Sequence, residues 1–329
     1  MSNRHSRNSS TVLSRAKRGI CFFLSQRALV CLTLVFLCAQ VGAQHVPQRP
    51  RILGIAGVSF YSSNFDASRD FYGRILNTTP GDVCFWCEVS VHGQPRQRSS
   101  VVLVSAEQQL ALAKPPDSTP PNLLHEIIFD TDDLKAMRTY LEAKHIATNK
   151  IVDPRARNPM ITVVDPEGHL VAFTQRTKGP PPVDASTLRI IHAGFVVHDR
   201  GAEDRFYKDI LGFHVYWHGG RTDDETSWVD MQVPDGTDWI EYMLNVPANA
   251  DHHTLGVMNH IALGVPDIHA AEEQLRKNGW SGNEKPKIGR DGKWQLNLYD
   301  PDDTRVELME FAPVQKPCCS DYTGPHPKP

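Results

Sequence analysis

Residues 189–197, RIIHAGFVV, form an apolar run with one histidine inside it, and the run predicts a buried β-strand. The next segment, RGAEDRFYKDIL, changes to a helical period that sets Ala202, Phe206, Ile210 and Leu211 on one face. Three strand-like runs follow, FHVYWH, TSWVDMQV and DWIEYMLNV. Then the order restarts. MNHIALGV reads as a strand, and DIHAAEEQLRKNG as a helix capped by Asp267 and stopped by Gly279. WQLNLYD and RVELMEF make a hairpin turned at Asp300-Pro301-Asp302-Asp303. The unit is βαβββ, written twice.

The first half of the chain carries the same unit. SRDFYGRILN (68–77) is similar to EDRFYKDILG (203–212), so Phe71-Tyr72 maps onto Phe206-Tyr207 at an offset of 135. The same offset carries His125 onto His260 and Asp165-Pro166 onto Asp300-Pro301. One register held over a hundred residues marks a tandem duplication. Modules are expected near 52–112, 122–176, 188–246 and 258–312, an α+β fold. The domains are then 52–176 and 188–312, joined by the Pro-rich linker 177–187. Residues 313–329, polar and rich in proline, predict a disordered tail.

Strand alternation turns the buried histidine into a question. His192 shares its face with Gly194 and Val196, while Ile191, Ala193 and Phe195 point away. His260 likewise shares a face with Ala262 and Gly264. Glu241 lies opposite Ile240 and Tyr242, and Glu307 opposite Val306 and Leu308. A carboxylate on the inner face of a strand is costly unless it is paired or bound to metal.

The repeated module resembles the vicinal oxygen chelate superfamily, which includes glyoxalase I, extradiol dioxygenases and bleomycin resistance proteins. The resemblance covers about residues 52–312. It implies two tandem glyoxalase-like domains, each a cup-shaped mixed sheet, with a divalent metal on the cup floor. Carried over by position, it implies His192, Glu241, His260 and Glu307 as the metal ligands, at spacings of 49, 19 and 47 residues. Two imidazoles and two carboxylates suit Fe, Mn, Ni, Co or Zn. At the same offset the first half holds Gly57, Ala106 and Ala172 in place of His192, Glu241 and Glu307, and keeps only His125. Glu107 is one residue out of register. The first domain is therefore expected to lack a complete metal site.

Such a metal binds two vicinal oxygens of a small molecule. With two carboxylates beside it, Glu241 and Glu307 become candidate catalytic bases for proton transfer, the lyase and isomerase mode. A triad of His192, His260 and Glu307 implies instead an Fe(II) extradiol-type dioxygenase. GRDGKWQLNLYDPDD, however, lacks the histidine that pattern expects before Tyr299. A third reading is a binding protein, with Trp217, Trp228 and Trp239 stacking a flat ligand and Arg221 or Arg290 meeting an anion. His252 and His253 sit in a polar stretch and are expected to be solvated.

Composition narrows the partners. Residues 1–43 hold six Lys and Arg and no acid, then an apolar run ending Val41-Gly42-Ala43. They read as a secretory signal peptide, followed by a short linker at 44–51. The alternative is an uncleaved membrane anchor. Cleavage takes the net charge from −3 to −9, which disfavours nucleic acid and anionic membrane surfaces. The mature protein is then exported, periplasmic or extracellular, where Cys84, Cys87, Cys318 and Cys319 are free to form disulfides. CFWC (84–87) lies in a strand-like run and not at a helix start, so a redox motif is disfavoured.

Overall fold

The chain was studied as a computed structural model that describes residues 47–77, 79–80, 99–103, 108–113, 123–149, 159–175 and 188–329. The signal segment 1–43, Cys84, Cys87, Ala106, Glu107 and the linker 177–187 lie outside the described residues. Both repeats belong to one unit, Gln48–Pro329.

The first repeat supplies β1 (Ile52–Tyr61), β2 (Thr79–Pro80), β3 (Ser99–Leu103), β4 (Gln109–Ala113), β5 (Leu124–Thr131), β6 (Met160–Val164) and β7 (Leu170–Thr174). They form one sheet in the order β2-β3-β4-β1-β5-β7-β6. The second repeat supplies β8 (Arg189–Val196), β9 (His214–Gly219), β10 (Trp228–Gln232), β11 (Trp239–Met243), β12 (His260–Val265), β13 (Lys287–Ile288), β14 (Trp294–Tyr299) and β15 (Arg305–Glu310). Their order is β13-β14-β15-β12-β8-β11-β10-β9. In each sheet the first strands of two modules pair antiparallel at the centre, and each is flanked by a parallel neighbour. The result is the curled mixed sheet expected of the repeated module.

Local chemistry sets the helices. Asp267 caps Ile268–Lys277 through the amides of His269 and Ala270, and Gly279 ends it at φ 93°. Asn64, Asp133, Asp199 and Asp251 cap the other helices in the same way. The repeated Phe-Tyr pair lies in a π-helical turn in both copies, Phe71–Ile75 and Asp204–Ile210. Convex faces of the sheets are apolar: Phe195, Ile261, Leu263 and Val306 join Ile127, Phe129 and Phe173 in one core shared by both repeats.

The two domains are cross-linked by the motifs that repeat. Tyr72 donates to Asp300 at 2.9 Å, and Tyr207 donates to Asp165 at 3.1 Å. Each repeat thus contributes the tyrosine of one bond and the aspartate of the other. Gln108 bonds the Ile55 carbonyl and both backbone groups of Ile190, tying β1 to β8.

Beside the Tyr207–Asp165 bond Glu203 is buried, with Asp165 and Glu167 as neighbours, and burial pushes its carboxyl up to about 9. A raised folded pKa means the folded chain keeps a proton that the unfolded chain has released. Stability therefore falls as pH rises from the ordinary glutamate range towards 9, by on the order of 1 kcal/mol per pH unit. Glu203→Gln is expected to flatten that slope in urea titrations between pH 5 and 9, and an unchanged slope would contradict it.

The tail departs from the expectation of disorder. Residues 313–329 run along β9, the outer strand of the second sheet. Thr323 N donates to the Tyr216 carbonyl at 3.0 Å, and the Ser320 hydroxyl takes up both backbone groups of His218. An edge strand leaves such groups open, and a polar, proline-rich segment satisfies them without building a further strand. Cys318 and Cys319 form a disulfide with each other.

Candidate metal centre

Strand register brings the four sequence-predicted ligands together. One row across the concave face runs Asp230, Glu241, Gly194, His260, Arg305, Tyr299, each paired with the next. The adjacent row runs Gln232, Trp239, His192, Ala262, Glu307, Asn297. His192 and Glu307 therefore face Glu241 and His260 across the seam between two rows. Glu241 Oε2 lies 2.9 Å from His260 Nε2 and 3.7 Å from His192 Nε2. The two Nε2 atoms are 3.1 Å apart. Donor atoms of His192, Glu241 and His260 all lie within 4.8 Å of one another. Glu307 joins through its Oε2, 3.7 Å from His192 Nε2.

These residues fit a divalent ion. His260 Nδ1 sits 3.1 Å from the Met258 carbonyl and donates to it, which leaves the lone pair on Nε2, aimed at the cluster. The imidazole lies against the backbone of Gly194, where an added Cβ would stand 2.0 Å from His260 Cε1. Burial first, then neighbouring cations, hold both histidines well below the usual imidazole range, so they are neutral donors. Burial pushes Glu241 and Glu307 up to about 7 against the pull of Arg305, so ionising either buried carboxylate is costly, and a cation at the cluster would offset that cost. Gly194→Ala is expected to tilt His260 off its seat and weaken divalent-metal affinity by about tenfold or more. Calorimetric titration of metal into both proteins checks this, and equal affinities would refute it.

A cavity of about 430 Å³ opens over the cluster. Trp217, Trp228 and Trp239 line it together with Arg221 and Arg290, so the aromatic and cationic residues singled out in the sequence converge there. The tail holds part of this wall: Trp217 Nε1 donates to the Cys318 carbonyl, and Tyr322 donates to Asp291. His252 is placed elsewhere, with its Nε2 3.0 Å from the Asp302 carbonyl.

The comparisons with known proteins agree with this fold. A 26% identical relative, the lactoylglutathione lyase of Haemophilus influenzae, aligns over 125 residues, 37% of this chain and 93% of that protein. The profile of one superfamily matches twice, at residues 54–173 and 189–308. The chain belongs to the Glyoxalase/Bleomycin resistance protein/Dioxygenase superfamily. Among solved structures of the same fold is a homoprotocatechuate 2,3-dioxygenase variant from Brevibacterium fuscum, with TM-score 0.58 and 19% identity over 80% of this chain and 72% of that one. The Arthrobacter globiformis homoprotocatechuate 2,3-dioxygenase gives 0.56 and 18%, covering 81% of each chain.

Within this superfamily member the two domains differ at their cup floors. Ser59 pairs with Glu126 and Glu126 with Leu170, as Gly194 pairs with His260 and His260 with Arg305. Glu126, and not His125, thus stands where His260 does. A register shift between Ser59 and Phe60 moves His125 out of line, and it bonds the Ser59 hydroxyl at 3.2 Å. The counterpart of Glu241 is likewise Ala111 and not Ala106, because Ser59 pairs with Ala111 as Gly194 does with Glu241. Among the described residues no cluster of three metal-binding side chains forms in the first domain. A second such shift, between Ala262 and Leu263, places Ile191 in the concave apolar cluster with Trp239 and Met309, and not with Ala193 and Phe195.

Three charged residues escaped the sequence reading. Asp230 is paired directly with Glu241, which raises its pKa well above the usual carboxylate range, after burial. Lys293 is buried, its Nζ 4.3 Å from the Trp239 ring centroid and near Tyr216 and Tyr322. Arg305 lies two positions before Glu307 on the same face, and period-2 alternation alone was enough to find it.

Proposed function

We propose that this protein is a divalent-metal-dependent lyase or isomerase of the glyoxalase kind, acting on a small oxygen-rich compound through two vicinal oxygens. The observation that carries it is the pair of carboxylates at a two-histidine cluster. When bound, the metal supplies Lewis acidity that makes a carbon next to a carbonyl acidic. His192, His260 and Glu241 are the residues that hold it. Glu307 reaches the cluster only through His192, so its Oε2 is the atom that takes the proton from that carbon and returns it. Trp239 and Trp228 line the cavity over the cluster and give a bound compound an apolar, aromatic wall.

The second reading is Fe(II) ring cleavage with His192, His260 and Glu307, favoured by the two-domain likeness to the homoprotocatechuate dioxygenases. Against it stands Glu241, whose carboxylate fills the position beside His260 that an open Fe(II) site needs for dioxygen. We further propose export, with cleavage after Ala43, which N-terminal mass spectrometry of the secreted protein reads directly.

Residues 44–329, assayed for metal by mass spectrometry, are expected to carry about one equivalent of a first-row divalent ion. Metal-loaded protein is expected to exchange solvent deuterium into 2-hydroxy carbonyl compounds, and Glu307→Gln to lose about 10² to 10⁴ of that rate while keeping metal. Oxygen uptake with catechols and no deuterium exchange would select ring cleavage instead. Bound metal with neither activity would leave a binding protein.

A further inference from the structure

Arg305 and the metal compete for one lone pair. The guanidinium Nη2 sits 2.8 Å from His260 Nε2 and donates to it, since the Met258 carbonyl already fixes the proton on Nδ1. That Nε2 lone pair is the one a metal on His260 has to take. Register makes the contact: Arg305 pairs with His260 on the neighbouring parallel strand, so both side chains rise from the same row. Its Nε is buried and, among the described residues, has no hydrogen-bond partner. Once the metal claims His260, the guanidinium must leave Nε2, and the cavity it already lines is the space beside it.

Charge balance says what it meets there. Asp230, Glu241, Asp291 and Glu307 line the cavity, against Arg221, Lys287, Arg290 and Arg305. Four carboxylates face four cationic groups there, Asp223 (paired with Arg290) and buried Lys293 add one charge of each sign, and a divalent ion makes the balance net positive. A neutral ligand leaves that excess uncompensated, while an anionic one removes it. Guanidinium also presents parallel donors to a carboxylate, a match that hydroxyl or ketone oxygens do not offer.

We propose that Arg305 is a substrate-binding residue that the metal releases from His260, and that the substrate class is a small carboxylate bearing its second oxygen on the adjacent carbon, a 2-oxo or 2-hydroxy acid. This rests on the metal site proposed above. It makes metal binding and anion binding one linked event, because the donor that meets the anion becomes free only when the ion arrives.

The test uses Co(II), oxalate and acetohydroxamate with residues 44–329, followed by calorimetry and by the Co(II) visible spectrum. Arg305→Met keeps the aliphatic stem, and Arg305→Lys keeps the charge without the planar donor face. In Arg305→Met, Co(II) is expected to bind more tightly, by about threefold or more, because its competitor is gone. Oxalate binding to the Co(II) protein is expected to weaken by about tenfold or more, while acetohydroxamate stays within about twofold. Arg305→Lys should fall between the wild type and Arg305→Met for oxalate. Weaker Co(II) binding in Arg305→Met would overturn the proposal and make Arg305 a positioning residue for His260. Unchanged oxalate affinity would also overturn it and leave the metal site standing. Wild-type protein that takes up no metal would bring down both.

Discussion

His260→Ala is expected to leave the second domain folded and unable to retain a divalent ion. His260 supplies the donor closest to Glu241, and its Nε2 also touches His192 Nε2. Removing it leaves Glu241 and Glu307 each 3.7 Å from His192 Nε2, with a single imidazole at the cluster. Loss of a directly bound ligand exceeds the 10- to 100-fold typical of outer-shell partners, so affinity should drop by more than about 10². The metal-dependent rate should fall with it. Stability is expected to change far less, by about 1–2 kcal/mol. The imidazole is fully buried, but its removal also frees the Arg305 guanidinium from a desolvated contact. Mass-spectrometric metal content, with far-UV circular dichroism as the fold control, decides it. A full equivalent of metal in the variant would place the ion elsewhere.

The four candidate positions could be picked out in the sequence because strand alternation and the βαβββ repeat together fix which side chains share a face. His192, Glu241, His260 and Glu307 stand on two adjacent rows, as two copies of one module require. Alternation failed where the strands bulge. Ile191 and His125 each sit at a one-residue register shift, and each changes side as a result. A constant offset also failed between β1 and β4. The first repeat is five residues longer there, which moves the counterpart of Glu241 from 106 to 111. The tail was misread for a different reason. Composition reports whether a segment has its own core, and 313–329 has none; what orders it is the open edge of β9, visible only in three dimensions. Lys293 gave no signal at all, because its aromatic neighbours come from β9, β11 and the tail.

Asp165→Ala is expected to cost about 3–5 kcal/mol, a large share of the stability of an ordinary domain. In sequence Asp165-Pro166 and Phe71-Tyr72 looked like two separate signatures of duplication. In the structure they are one device, since each repeat's tyrosine donates to the other repeat's aspartate. Asp165 also accepts from the His169 amide at 2.7 Å and bonds the His169 ring at 2.8 Å, with no side-chain exposure. Deleting its carboxylate takes one acceptor from three buried donors at once, at about 1–3 kcal/mol for each one that finds no replacement. Relief of repulsion on Glu203 offsets part of this. Asp300→Ala should behave alike, because Asp300 accepts from Tyr72 and from the amides of Asp302 and Thr304. The two sites use different tyrosines, Tyr72 for Asp300 and Tyr207 for Asp165, so the double variant should lose close to the sum. Urea unfolding followed by tryptophan fluorescence reads all three. Five of the six tryptophans, Trp217, Trp228, Trp239, Trp280 and Trp294, lie in the second repeat, yet Asp165 belongs to the first. A midpoint shift in that signal on Asp165→Ala therefore shows that the second domain draws stability from the first. If the loss is under about 1 kcal/mol, the crossed Tyr–Asp bonds do not hold the domains together, and the shared apolar core and the Gln108 link do.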